Sequence, residues 1–410
     1  MNSPLVASSE GIPAGTVTRA GAAQGFTISV AAFFPIMAIV SLAPAVPSIV
    51  RHFAADPNAA TLVPLMVTAP GMMIALCSPF AGWAADRFGR RKMLLVATVL
   101  YGFLGIAPLF LDSLQAIFAS RFGVGVTEAV ILTVTNSLIG DYFTPSQRRK
   151  WLTVQGVIGP VFAISVIALS GVLTERSWRG SFLIYLVAFA VFAAMLFCLY
   201  EPAVKVGSRE GGNVAAAPAR FPWPTALFCC AVTLFTAVLY YAFIVQGGLA
   251  FETIGVHSPS RLGVLIGIAG IGVPVGAVTF GWLSGRWQIR HLIALYLALL
   301  GIGMVGIGLA TNEIAMTAFA WLQQAGAGMT VVSLIYWLTS LLPAEHRGRG
   351  TGMWVCAFFA GQFVSPLVFG ALRALSGGIL PAFVGMGALG IAGAVVALIV
   401  RGSRGAKIRA

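Results

Sequence analysis

Twelve apolar runs of about 20 residues or more follow one another along a chain of 410 residues. They fall at roughly 26–50, 61–84, 93–111, 115–139, 151–173, 181–200, 224–247, 261–284, 291–310, 314–340, 350–372 and 379–400. About 20 mostly apolar residues suffice to carry a helix through the hydrocarbon core of a bilayer. Inside that core each backbone N–H and C=O must find its partner within the protein, which the helix provides. Hydrophobic residues make up 59% of the chain and charged residues 9%, whereas soluble domains carry about a quarter charged residues. The runs therefore predict an all-α membrane protein of twelve transmembrane helices. The first run is too long for the apolar core of a cleavable signal, so it is read as an uncleaved first span.

The longest connection, residues 201–222, carries Pro202, Gly207, Gly211, Gly212 and Pro218 and falls between spans six and seven. It divides the chain into an N-terminal half (1–200), a cytoplasmic linker (201–222) and a C-terminal half (223–410). The halves echo each other. Gly82-Trp83 returns as Gly281-Trp282, Arg87 as Arg286 and Arg91 as Arg290, all at an offset of 199. Pro145 to Arg149 returns as Pro343 to Arg347 at 198, and Gly171-Val172-Leu173 as Gly370-Ala371-Leu372 at 199. An offset near half the length indicates duplication, hence two six-helix pseudo-repeats facing each other, with substrate held near mid-bilayer between them.

Nineteen Lys and Arg residues lie on the side that holds both termini, and five lie on the other. The basic side is expected to be cytoplasmic. The net charge of +13 is thus a topology signal, and no nucleic acid partner is implied. The five cysteines all lie in apolar runs without metal-ligand spacing. No Asn-x-Ser/Thr sequon occurs, which agrees with a bacterial plasma (inner) membrane and both termini cytoplasmic.

The one remaining basic residue is Arg121, inside span four, and of twelve acids only Glu128 lies well inside a span. Seven residues on a helix fall about 20° short of two turns, so the two share a face about 10 Å apart. Charges within a bilayer cost on the order of a few kcal/mol and face a cavity or a partner. Burial favours the neutral acid and a nearby cation favours the carboxylate, so Glu128 is the candidate proton carrier and Arg121 the group that tunes it. The plainer reading is a static ion network between helices.

The stretch from Gly82 to Lys92 packs five charges into the seven residues from Asp86 onward. Gly82 permits close helix approach, Asp86 suits the positive end of a neighbouring helix, and Arg87, Arg90, Arg91 and Lys92 suit an anionic membrane surface. The plainer reading is a topology anchor.

The spacing Gly82-x-x-x-Asp86-Arg87-x-Gly89-Arg90-Arg91, its weaker copy at 281–291, Arg121-x-x-x-Gly125 and the twelve spans together resemble a transporter of the major facilitator superfamily. The resemblance implies that Gly82, Asp86, Arg87, Gly89, Arg90 and Arg91 form a conformational latch in which Asp86 contacts span eleven. It also implies that Arg121 is linked to proton coupling. Gly285 stands where the second copy would need an acid, so no second Asp latch is expected. Gly156, Gly159 and Pro160 in span five resemble the helix-bending signature of the family's antiporters, although Ala163 and Ile164 stand where a Gly pair is usual. Gly361-Gln362-Phe363-Val364-Ser365-Pro366 is similar to bacterial drug-efflux members. Arg121 with Glu128-Ala129 is similar to the spinster-like and organic-anion branches.

Asn136, Tyr240, Tyr241, Gln246, Gln323, Gln324 and Gln362 are the candidates for substrate binding; helix–helix hydrogen bonds and interface anchoring are the plainer readings. There is no phosphate-binding glycine loop, nucleophile constellation or metal cluster, so neither an enzyme nor a cofactor is expected. The expected function is proton-coupled secondary transport of a small organic or amphipathic molecule, with efflux by antiport first and proton-linked uptake of an organic anion, with Arg121 as the anion partner, second. A membrane receptor or scaffold without transport is the remote alternative. The expected partners are a small-molecule substrate, protons and membrane lipid, with the chain acting as a monomer.

Overall fold

The computed structural model describes residues 20–202, 221–343 and 346–399. Among these, twelve helical spans are long and apolar enough to cross a membrane. Spans one to six are Ala22–Val40, Ala59–Phe88, Arg90–Leu109, Leu114–Tyr142, Pro145–Arg176 and Gly180–Cys198. Spans seven to twelve are Trp223–Thr253, Pro259–Ser284, Ile289–Leu309, Glu313–Leu341, Arg347–Ser376 and Ile379–Ile399. They match the expected runs in number and order. Residues 203–220, most of the expected linker, lie outside the described residues.

Local chemistry sets where helices start and turn. The Asn312 side chain accepts from the Ala315 amide at 2.9 Å and begins span ten. Thr144 and Gln147 cap span five, with Pro145 at its first position, where the missing N–H costs nothing. Spans two and three are joined through Gly89 alone, at φ +95°, a conformation that side chains disfavour.

Span three ends and span six begins in 3-10 turns, Ala107–Leu109 and Gly180–Leu186, and two further spans break more sharply. The run expected at 26–50 is three helices, Ala22–Ala31, Phe34–Val40 and Val46–His52. Pro35, Pro44 and Pro47 lie at or beside its breaks, and a proline removes a backbone donor and clashes with the preceding turn. Other spans supply partners for the broken segment. Tyr101 donates to the Phe34 carbonyl at 3.0 Å and Tyr185 to the Ala38 carbonyl at 3.4 Å. Ser170 donates to the Ser41 carbonyl. Irregular backbone at membrane depth is tolerated where protein buries it in this way. Span eight changes from one helix to the next at Ile271, between Gly270 and Gly272 and just before Pro274.

Packing repeats between the first six spans and the last six. Span two lies along four as eight lies along ten, and three lies against six as nine lies against twelve. Small residues allow the contacts: a Cβ on Gly125 would stand 2.5 Å from the Pro70 carbonyl, and one on Gly276 would overlap the Ala325 carbonyl. The two sets of six meet along two seams, span two with eleven and span five with eight. Large apolar side chains such as Phe80, Phe103, Phe110, Phe197 and Val278 point outward, as expected of surfaces in contact with acyl chains.

Candidate functional site

The two sets are held together at one end of the molecule. At the face opposite the 82–92 loop, Arg51 pairs with Glu252 across the sets. The Glu175 carboxylate, at the end of span five, accepts from the Ser258 hydroxyl at 3.0 Å and the Ser260 amide at 2.9 Å, at the start of span eight. A Cβ on Gly171 would stand 2.6 Å from the Pro259 carbonyl, and one on Gly248 2.9 Å from the Ala43 carbonyl. Among the described residues Arg51–Glu252 is the ion pair that crosses between the sets; the other acid–base pairs stay within one set.

Toward the basic face the sets part. A cavity of about 690 Å³ lies there, between spans two, four, seven and eleven. Ser78, Thr133, Asn136, Cys230, Arg349 and Cys356 are among its lining residues. At its deeper edge Cys356 donates to the Ala75 carbonyl at 3.2 Å, and the Gln362 amide lies where a Cβ on Gly71 would be, 2.7 Å away.

Arg121 and Glu128 are both buried, at 0% and 1% exposure, yet they form no ion pair. The Arg121 guanidinium donates to the Leu104 carbonyl at 2.8 Å, to the Gly105 carbonyl at 3.3 Å and to the Tyr185 hydroxyl at 3.2 Å. Its carbon lies 5.3 Å from the ring centroids of both Phe182 and Tyr185. Leu104 and Gly105 belong to the last turn of the helix Arg90–Ile106, whose terminal carbonyls lack helical donors and attract a cation. Arg121 therefore closes a helix end inside the first six spans rather than lining the cavity. Glu128 Oε1 is buried without a hydrogen-bond partner among the described residues. A carboxylate buried in such a place without a partner costs far more than the neutral acid, which itself still lacks a hydrogen bond at Oε1.

The 82–92 loop is a clamp within the first six spans. Arg90 pairs with Asp86 at 2.9 Å and with Asp141 at the end of span four. Glu201 accepts from the Arg90 and Arg91 amides at 2.6 and 3.0 Å, which caps span three. Arg91 donates to the Leu199 and Leu196 carbonyls at 2.7 and 3.1 Å, at the end of span six. Gly82 faces Thr133, and Arg87 lies 5.6 Å from the Trp83 ring centroid. Asp86 is 68% exposed and turned to Arg90, not to span eleven, as befits a structure open on this face. Asp141 and Glu201 escaped the sequence reading because neither lies in the motif.

Of the polar candidates for substrate binding, Asn136 lines the cavity. Tyr240 meets Phe358 edge-on and Tyr241 meets it tilted, each with ring centroids 5.5 Å apart, and Phe358 stacks with Trp354 at 5.3 Å. Gln323 donates to the Leu239 and Tyr240 carbonyls at 3.4 and 3.5 Å, which ties span ten to seven. Gln246 and Gln324 are buried elsewhere in the last six spans, and Gln362 is at the two–eleven seam. Arg349, which lines the cavity, counted in the sequence merely as a topology charge. In span five, the helix runs unbroken through Pro160; Gly159 faces Phe33 and Gly156 faces open space.

Two sets of six spans around a shared cavity, sealed at one face, define a polytopic solute transporter. The Major Facilitator Superfamily pattern matches residues 28–312 and 252–409, and the chain belongs to that superfamily. It is 22% identical over 355 residues to a probable sulfoacetate transporter, SauU, of Cupriavidus necator, covering 78% of this chain and 80% of that one. It is 23% identical to the class B tetracycline resistance protein of Escherichia coli, covering 82% and 85%. It is also 23% identical to a gallate transporter of Pseudomonas putida, covering 84% of each. The fold matches the nucleoside transporter NupG at a TM-score of 0.73 with 10% identity, covering 92% of this chain and 98% of that one. A bacterial homologue of the human lysosomal transporter Spinster, inward-facing and unoccupied, matches at 0.71 with 15% identity, covering 92% and 94%. The chain is thus a multi-pass membrane transporter, not an enzyme.

Proposed function

We propose that this protein is a proton-coupled secondary transporter in a bacterial inner membrane, with its basic face cytoplasmic. Residues 1–200 and 223–410 act as two halves that rock about the substrate, and a single chain suffices. Glu128 carries the proton. The observation that carries this reading is its fully buried carboxyl group, whose Oε1 has no hydrogen-bond partner among the described residues. Arg121, on the same helix, holds the end of span three at Leu104 and Gly105 and the rings of Phe182 and Tyr185.

Efflux by proton antiport is the first reading, supported by Gly159-Pro160 and by similarity to a tetracycline resistance protein. Uptake of a small organic anion is the second. It rests on the cavity lining, in which Arg349 alone is charged, and on similarity to proteins named for sulfoacetate and gallate. In this reading Arg349, not the fully bonded Arg121, meets the anion. Purified protein in proteoliposomes, offered tetracycline, gallate and sulfoacetate under pH gradients of either sign, tests both. Antiport drives substrate against the direction of proton entry, and symport drives it along that direction. Flux that ignores the gradient contradicts both.

A further inference from the structure

Spans nine and twelve meet on glycine at mid-depth. A Cβ on Gly301 would stand 2.7 Å from the Gly387 carbonyl, and one on Gly390 2.9 Å from Gly301 Cα. Toward the basic face a cavity of about 800 Å³ lies between them. Ala294, Ala298, Ala394 and Val395 line its apolar wall, and Arg286, Gln288 and His291 line its mouth.

The charges at this mouth differ from those of the repeat-related loop. In the first copy, Arg91 Nε donates to the Leu199 carbonyl at 2.7 Å, and Asp86, Asp141 and Glu201 neutralise or cap the loop. In the second copy, Arg290 Nε is buried without a partner. Arg286 lies 4.5 Å from the Trp282 ring centroid and forms no ion pair among the described residues. No acid occurs from Gly285 to His291. Span nine begins at Ile289 without a side-chain cap, and such an end favours an anion.

We propose that this groove holds one anionic phospholipid of the basic-face leaflet. Its phosphate lies at Arg286 and His291 beside the start of span nine, and an acyl chain lies between spans nine and twelve. The apolar wall selects a lipid over a soluble anion, and the cationic mouth selects an anionic headgroup over a zwitterionic one. The chain's own C-terminal residues 400–410 are a poor occupant, since they carry Arg401, Arg404, Lys407 and Arg409 and no side-chain acid.

Native mass spectrometry of the full-length protein in detergent tests this, with phosphatidylglycerol and phosphatidylcholine of identical chains added separately. The expected result is preferential retention of one phosphatidylglycerol. Arg286→Ala weakens it about fivefold, in line with one basic residue at a membrane surface, while Arg87→Ala at the repeat-related position leaves it unchanged. Ala394→Trp fills the groove and removes binding of both lipids. If Ala394→Trp does not fold, the Arg286 and Arg87 variants still decide the matter. Equal retention of the two lipids, or equal loss in the two Arg variants, would overturn the proposal. So would a groove that takes lipid only after deletion of 400–410, or one filled by a second copy of the chain.

Discussion

Arg51 and Glu252 form an ion pair across the seam between the first six spans and the last six, at the face opposite the basic loop. Arg51 is in the last turn of the helix Val46–His52, after the final break of the 26–50 run, and Glu252 is in the final turn of span seven. Their pairing holds the broken span against the other set while the basic-face cavity is open. With Arg51 half exposed, such a pair is worth about 0.2–1 kcal/mol. Glu252→Gln is therefore expected to raise the population open at the opposite face by up to about fivefold, read by thiol-reagent accessibility of cysteines introduced there. Unchanged accessibility would show that the pair does not stabilise the closed face.

Gly171 and Gly156 make a contrast within one span. A Cβ on Gly171 meets the Pro259 backbone, whereas one on Gly156 meets nothing within 4 Å. Gly171→Val is expected to destabilise the sealed arrangement by roughly 1–3 kcal/mol, the usual cost of overpacking a tight contact. Gly156→Ala is expected to be neutral or slightly stabilising. Thermal unfolding of both variants in detergent, together with distance measurements between spin labels on spans five and eight, checks the pair of expectations.

The clamp around Arg90 separates two roles that the loop motif combines. Asp141 pairs with Arg90 inside the first six spans, so Asp141→Asn is expected to lower the thermal midpoint with little change in the balance between open states. Asp86 is mostly exposed here, and we propose that it acts as a latch when the basic face closes. Asp86→Asn is expected to shift the population toward the basic-face-open state with little loss of stability. Cysteine accessibility at the cavity mouth, compared with melting of the same variants, distinguishes the two.

The fold was legible because its strongest physical demand, twelve lipid-length helices, is written in composition and run length alone. The breaks in span one were less legible. Pro35, Pro44 and Pro47 were visible, but whether a proline is absorbed, as Pro160 is in span five, depends on which neighbours accept or supply hydrogen bonds. Glu128 could be singled out as an acid where acids are rare. The partner of Arg121 could not, because the Leu104 and Gly105 carbonyls are backbone atoms without a sequence signature. Arg349 was hidden for the opposite reason, since it lies among surface cations that topology already explained. Gln323 illustrates the limit for polar groups inside spans: its residue type does not reveal that its amide is directed to the backbone of span seven.

Arg121 offers a check on its structural role. Removing it leaves the Leu104 and Gly105 carbonyls and the Tyr185 hydroxyl without their buried donor, at a cost of roughly 1–3 kcal/mol or more. Arg121→Ala is thus expected to lower the thermal midpoint clearly. Arg121→Lys, which keeps the charge but not the fork, is expected to recover part of that loss. Equal stability of wild type and Arg121→Ala would contradict the helix-closing role.

Gradient-driven flux in proteoliposomes, compared between wild type and Glu128→Gln, tests the proton-carrying role of Glu128 most directly. The account predicts that wild-type flux responds to an imposed pH gradient, and that the variant still exchanges substrate down its own gradient but ignores the proton gradient. A Glu128→Gln protein whose flux follows the pH gradient as wild type does would contradict it.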